Sequence, residues 1–193
     1  MNIAVKTYGT GRIYCRPDTT WERDNKDLFV PDTIKGYMFT PVLFARISKA
    51  GKCIGKKFSS RYYDSIGYGL LLYTADFMDN SPLAYATASC MDHTSILPFP
   101  MFNRVTLENG DNIFNIFKDG NIIYSTTEGT TELIEQSICD ISTVVSVRIG
   151  DMIAIELDCP ELLAERIADG KQIPTVISGT FCDNSLFDFK IVF

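Results

Sequence analysis

The sequence predicts an α+β domain dominated by strands. Short runs rich in β-branched and aromatic residues are separated by Gly, Pro, Asn-Gly and Asp-Gly turn signals. The helical stretches do not alternate regularly with them, which argues against a doubly wound sheet. A length of 193 residues with 46% hydrophobic content is enough for one core and excludes a disordered chain. The expected organisation is one domain over residues 1–193, without internal repeats or low-complexity tracts.

Taken in order, IAVK at 3–6 and RIYCR at 12–16 read as strands around a Gly9/Gly11 turn, the second stopped by Pro17. Residues 18–26 are polar and turn-like around Trp21, and LFV at 28–30 is a short strand before Pro31. The organising stretch runs from Pro41 to Asp79. VLFARIS at 42–48 is a strand and KAGK a turn. KKFSSRYYDSI at 56–66 predicts a short amphipathic helix, with Phe58, Tyr62 and Ile66 on one face. GYGLLLYT at 67–74 is a buried strand.

LAYATASCM at 83–91 predicts a small helix with Ser81 as cap and Pro82 at its first position, closed by Asp92 and His93. RVTLENGD and NIFNIFKDGNIIYST read as antiparallel strands turning at Asn109-Gly110 and Asp119-Gly120. The longest helix is expected over 130–147, with Leu133, Ser137, Ile141 and Val144 on one face. MIAIEL is a strand, PELLAERIADG a helix ending at Gly170, and IPTVIS and FDFKIVF are closing strands.

The net charge of −6, with no basic tract, excludes a phosphate-backbone partner. No stretch approaches the roughly 20 apolar residues that span a bilayer. MNIAVKTYGTGR lacks a secretory-type apolar run, so a soluble, cytoplasmic protein is expected. The six cysteines, Cys15, Cys53, Cys90, Cys139, Cys159 and Cys182, form no C-x-x-C pair and are expected as buried, reduced thiols.

ISKAGKCIGKKFSSRYYDSIGYG, CRPDT at 15–19, FNIFKDGNIIYS, VRIGDMI and the terminal LFDFKIV together resemble the small single-domain bacterial members of the fumarylacetoacetate hydrolase family. The resemblance implies a strand-dominated mixed β-roll with peripheral short helices, usually a homodimer. It implies hydrolysis, decarboxylation or hydration of oxo acids. It further implies a magnesium ion on a Glu-x-Glu pair and an Asp, with a His-based water activator.

By the same resemblance, the Glu-x-Glu positions fall on Thr40 and Val42, and the metal Asp on Leu71. These side chains supply at most one neutral oxygen, whereas magnesium wants several hard oxygen ligands. Residues 33–47 contain no acid at all. The family's Arg falls on Ala75 with Asp76 kept, and its Lys falls on Ser89 with Asp92 kept. Its Gly-Thr-Pro run is replaced by Glu156, Leu157 and Asp158, and the only histidine is His93. No cofactor is therefore expected.

Asp92 and His93 read either as an oriented base or as a helix cap and dipole partner. Asp76 is a helix cap or a catalytic acid. Arg46 either binds a carboxylate bidentately or pairs with an inner acid. Ser89 and Cys90 lack a partnered base in the sequence, and Tyr62, Tyr63, Tyr68 and Tyr73 read as core aromatics. The leading expectation is a homodimeric binding or structural protein that has left the family chemistry. An alternative is a remodelled, metal-independent hydrolase or decarboxylase acting on oxo acids or acylpyruvates, with Asp92, His93, Asp76 and Arg46 as its weak candidates. A third is a ligand sensor whose pocket, lined by Leu71 and Val42, takes an apolar small molecule; the former metal-pocket positions Thr40, Val42, Leu71 and Ser89 are the candidate ligand-binding residues.

Overall fold

The structure, a computed structural model, describes residues 1–78, 82–108, 112–167 and 172–193, without the side chains of 82 and 83. The strands are β1 (Ile3–Lys6), β2 (Ile13–Arg16), β3 (Trp21–Glu22), β4 (Leu28–Phe29), β5 (Gly36–Ile47), β6 (Tyr63–Thr74) and β7 (Ser95–Ile96). They continue as β8 (Phe102–Asn103), β9 (Phe114–Lys118), β10 (Asn121–Thr126), β11 (Met152–Glu156), β12 (Glu161–Glu165), β13 (Thr175–Phe181) and β14 (Asn184–Val192). The helices are α1 (Pro82–Ala88) and α2 (Thr131–Val144), with 3-10 turns elsewhere.

Among the described residues the larger sheet runs β2-β1-β11-β5-β6-β7-β3, with β12 also on β5 and β8 on β6; the smaller runs β10-β9-β13-β14-β4. Both mix parallel and antiparallel pairs. The strand-dominated α+β expectation holds. No described helix is long and apolar enough to cross a membrane.

The axis is the antiparallel pair β5–β6, in which Thr40 faces Leu71 and Val42 faces Gly69. Alternation along these strands sorts side chains between two cores. Tyr37, Phe39, Leu43, Ala45 and Ile47 join Tyr68, Leu70 and Leu72 against α2 and the smaller sheet. Val42, Phe44, Leu71 and Tyr73 join Ile3, Val5, Met152 and Ala154 in the other core. Both faces of β5 are covered, which is why its sequence is a continuous apolar run rather than an alternating one. At Gly69 a Cβ would stand 2.1 Å from the Ile96 carbonyl oxygen, so only glycine lets β7 close on β6.

Pro41 sits inside this central strand without breaking it. On that edge β12 pairs with residues 36–39 and β11 with 42–46, so Pro41 falls where one partner hands over to the other. There its missing N–H leaves no ladder bond unmade. The connecting segment is fastened by Leu157 N–H to the Pro41 carbonyl at 2.9 Å and by Thr40 Oγ1 to the Asp158 carbonyl at 2.6 Å.

Several elements differ from expectation. PELLAERIADG contains β12 instead of a helix over Glu161–Glu165. Pairing with the open edge of β5 outweighs its helix propensity, and a bulge between Leu162 and Ala164 keeps both Leu163 and Ala164 buried. Its expected end at Gly170 lies outside the described residues.

The helix over 56–66 is a 3-10 turn ending at Arg61, and Tyr63–Ile66 belongs to β6, because continuing the long β5 ladder satisfies more backbone than a further turn. Phe58 is exposed. RVTL at 104–107 is a 3-10 turn rather than a strand, capped by the Asn103 side chain; Asn109-Gly110 and Ser81 lie outside the described residues.

Asp119-Gly120 does turn a hairpin, with positive φ at both residues. In α2, capped by Thr130 Oγ1 accepting the Leu133 N–H at 3.1 Å, the inward face is Ile134, Ser137, Ile138 and Ile141, while Val144 is exposed. The cysteines are unpaired as expected but not buried: Cys139 is half-buried and the other five are exposed.

Candidate functional site

Thr40, Val42, Leu71 and Ser89, the positions singled out from the sequence as a former metal pocket, are all fully buried. Val42 and Leu71 are packed in hydrocarbon. The Thr40 hydroxyl donates to the Asp158 carbonyl, and Ser89 Oγ turns back to the Ala86 carbonyl at 3.1 Å within the α1 turn.

The polar centre on this face is built by other residues. Tyr73, one inward position beyond Leu71, donates its hydroxyl to Glu156 Oε1 and accepts from Tyr14. Glu156 Oε2 accepts the Tyr8 backbone N–H at 3.0 Å. Arg16, 1% exposed, lays its guanidinium over the Tyr73 ring at 4.8 Å. Its Nη1 donates to Thr94 O at 2.9 Å and Ser95 Oγ at 2.8 Å, and its Nη2 to Leu72 O at 2.5 Å. Arg16 Nε has no hydrogen-bond partner among the described residues.

Burial raises the Glu156 carboxyl above its usual range, against the lowering effects of the Tyr73 and Tyr8 hydrogen bonds and the Arg16 charge. Burial likewise pushes the phenols of Tyr14 and Tyr73 up, so both act here as hydrogen-bond donors and not as bases.

This centre does not fit a hard divalent cation. It offers one carboxylate, already engaged by two donors, where magnesium wants an octahedron of oxygens. Among the described residues no group of three or more His, Cys, Asp and Glu is disposed to hold a metal.

Asp92 and His93 lie elsewhere, on a cavity of about 690 Å³ lined also by Lys26, Leu28, Phe29, Tyr37 and Cys90. They do not close a helix, since α1 ends at Ala88. The His93 Nδ1 instead hydrogen-bonds Glu22 Oε2 at 3.0 Å, and Glu22 is buried on β3. With Nδ1 on this carboxylate, His93 has Nε2 as its other polar atom. His93 also holds a φ of 59°, in the left-handed region that non-glycine residues visit seldom and His more readily than most.

Asp76 sits apart, accepting the Lys35 backbone N–H at 2.8 Å rather than capping a helix. It lines a cavity of about 200 Å³ with Glu165. Arg46 is exposed on β5 and meets neither site, so an inner acid is not its partner.

Sequence reasoning missed Glu22, Tyr37 and Tyr14; it met Arg16 only within CRPDT, Tyr73 only as a core aromatic and Glu156 only in the run that replaces Gly-Thr-Pro. The period of two from Leu71 was a signal for Tyr73. Nothing local links Glu22 to His93, which are 71 residues apart.

Against known structures, a fumarylpyruvate hydrolase from Pseudomonas aeruginosa, solved in complex with Mn2+ and pyruvate, gives a TM-score of 0.77 at 11% identity, covering 100% of this chain and 89% of its own. A fumarylacetoacetate hydrolase family protein from Yersinia pestis CO92 gives 0.74 at 12% identity, covering 99% and 92%. A maleylpyruvate hydrolase from Sphingobium sp. SYK-6 gives 0.74 at 12% identity, covering 99% and 70%. No protein-family model and no curated protein matches the sequence.

Proposed function

We propose that this chain, which has the fold seen in fumarylacetoacetate hydrolase family structures, is a non-catalytic binding or structural protein that has given up the metal-dependent chemistry of that fold. The observation that carries this reading is the complete burial of Val42 and Leu71 in an apolar core at two positions where the resemblance puts metal carboxylates. Filling that space stabilises the fold by about 1.5–3 kcal/mol for each such side chain, and it leaves no room for an oxo acid chelated to an ion. The assembly proposed with it is a homodimer, whose second copy would cover exposed apolar residues such as Ile149 and Ile173. The proposed setting is the cytoplasm, where unpaired, largely exposed cysteines stay reduced. Calorimetric titration with magnesium or manganese tests the central claim: no saturable heat is expected, and stoichiometric micromolar binding would sink it.

One observation favours a second reading, a remodelled metal-independent hydrolase or decarboxylase. The Glu22–His93 pair orients the only imidazole of the chain beside a cavity that also holds Asp92 and Cys90. Assays on acylpyruvates and oxaloacetate, repeated with His93→Ala, decide it. Turnover abolished by that change supports this reading, and turnover indifferent to it removes His93.

A further inference from the structure

The cavity beside β4 has a lining that selects for one chemical class of ligand. Its volume of about 690 Å³ is in the range that encloses a small organic molecule. Leu28, Phe29, Pro31, Tyr37 and Met91 supply an apolar and aromatic wall.

Tyr37 is 1% exposed, and its hydroxyl makes no hydrogen bond with any described residue. Burial pushes this phenol up to about 12, so it stays a neutral hydroxyl able to donate or accept. The hydroxyl opens on the cavity and its solvent rather than being sealed in the core, so a polar ligand atom there would take the place of water.

Charge decides the sign of that ligand. The lining holds two carboxylates, Asp27 and Asp92, against one ammonium, Lys26, which is already 3.6 Å from Asp24. Behind His93 stands a third carboxylate, Glu22. Asp27 is occupied by the Lys190 backbone N–H at 2.9 Å. Asp92 is exposed and makes no ion pair among the described residues, which leaves it to meet a cation. An anion entering here would face an excess of like charge, whereas an ammonium gains an unpaired carboxylate.

We propose that this cavity is a binding site for small organic amines with an apolar or aromatic body, the body against Leu28, Phe29 and Tyr37 and the ammonium between Asp92 and the Tyr37 hydroxyl. The site stands on the other face of β5 from Val42 and Leu71, so it is independent of whether that centre takes a metal.

The test is calorimetry on the full chain at neutral pH and low salt with three matched probes: 2-phenylethylamine, 2-phenylethanol and 3-phenylpropionate. The amine is expected to bind one to one, at least about tenfold more tightly than the alcohol or the carboxylate. Asp92→Asn is expected to weaken the amine by about tenfold and Tyr37→Phe by a few-fold, while the exposed, remote Asp64→Asn changes nothing. Thermal unfolding of each variant checks that it is folded. Amine binding no tighter than the alcohol, carboxylate binding as strong as the amine, no amine binding up to millimolar, or an Asp92→Asn variant that binds as before each overturns the proposal.

Discussion

Thr40 and Tyr37 stand on the same strand, three residues apart, and their hydroxyls meet opposite fates. The Thr40 hydroxyl is tied to the Asp158 carbonyl in a face packed with Val42, Leu71, Tyr73 and Phe44. The Tyr37 hydroxyl, on the other face, makes no hydrogen bond with any described residue and opens on a cavity, although the residue as a whole is 1% exposed. On the first face the Thr40 hydroxyl is closed into the protein; on the second the Tyr37 hydroxyl stays open to the cavity. Burial alone therefore does not mark a site. Burial together with a polar group left open to adjoining space does.

The sharpest way to break this contrast is Leu71→Asp. In a packed apolar core an uncompensated carboxylate is expected to cost about 3–5 kcal/mol or abolish folding. Denaturant unfolding measures it, and a loss below about 1 kcal/mol would mean that face is open after all. Next in size, Tyr73→Phe strands one oxygen of Glu156 and removes the acceptor of Tyr14. A loss of about 1–3 kcal/mol is expected by the same measurement; no loss would mean the network is not formed.

A smaller effect is a pH slope. The folded-state carboxyl of Glu156 is raised above its ordinary value of 4.5, so the folded chain holds that proton more tightly than the unfolded chain. The contribution is full below that ordinary value and is lost as pH rises through the raised one, at no more than about 1.4 kcal/mol per pH unit. Comparing wild type with Glu156→Gln across the acid-to-neutral range should show the wild type losing ground as pH rises, and the reverse trend would contradict the assignment. Smallest of all, Arg46→Ala should change unfolding free energy by less than about 0.5 kcal/mol, since Arg46 is exposed and touches neither region.

The legible part of the fold was the part carried by apolar runs and turn residues. The compact, β-branched and aromatic run VLFARIS and the buried run GYGLLLYT placed β5 and β6, and the Asp119-Gly120 signal placed the β9–β10 turn. β12 was misjudged because ELLAE has helical propensity, and only the vacant edge of β5 makes it a strand. The absence of carboxylates at Thr40, Val42 and Leu71 was visible in the chain, but what replaced them was not. Arg16, Tyr73 and Glu156 come from three separate strands and meet only through the register of the larger sheet. His93 was visible; its partner Glu22 depended on the parallel pairing of β3 with β7.

The proline at position 41 has a dynamic consequence. Because β5 changes partners there, β11 and β12 share no ladder bond with each other, and the segment between them is held by two hydrogen bonds. The larger sheet thus carries a seam. β12 can part from the first residues of β5 while β11 stays zipped to the rest, so its amides should exchange with solvent as a separate, less protected unit. The strand that forms the molecule's rigid axis is also where one piece of its edge can come loose alone.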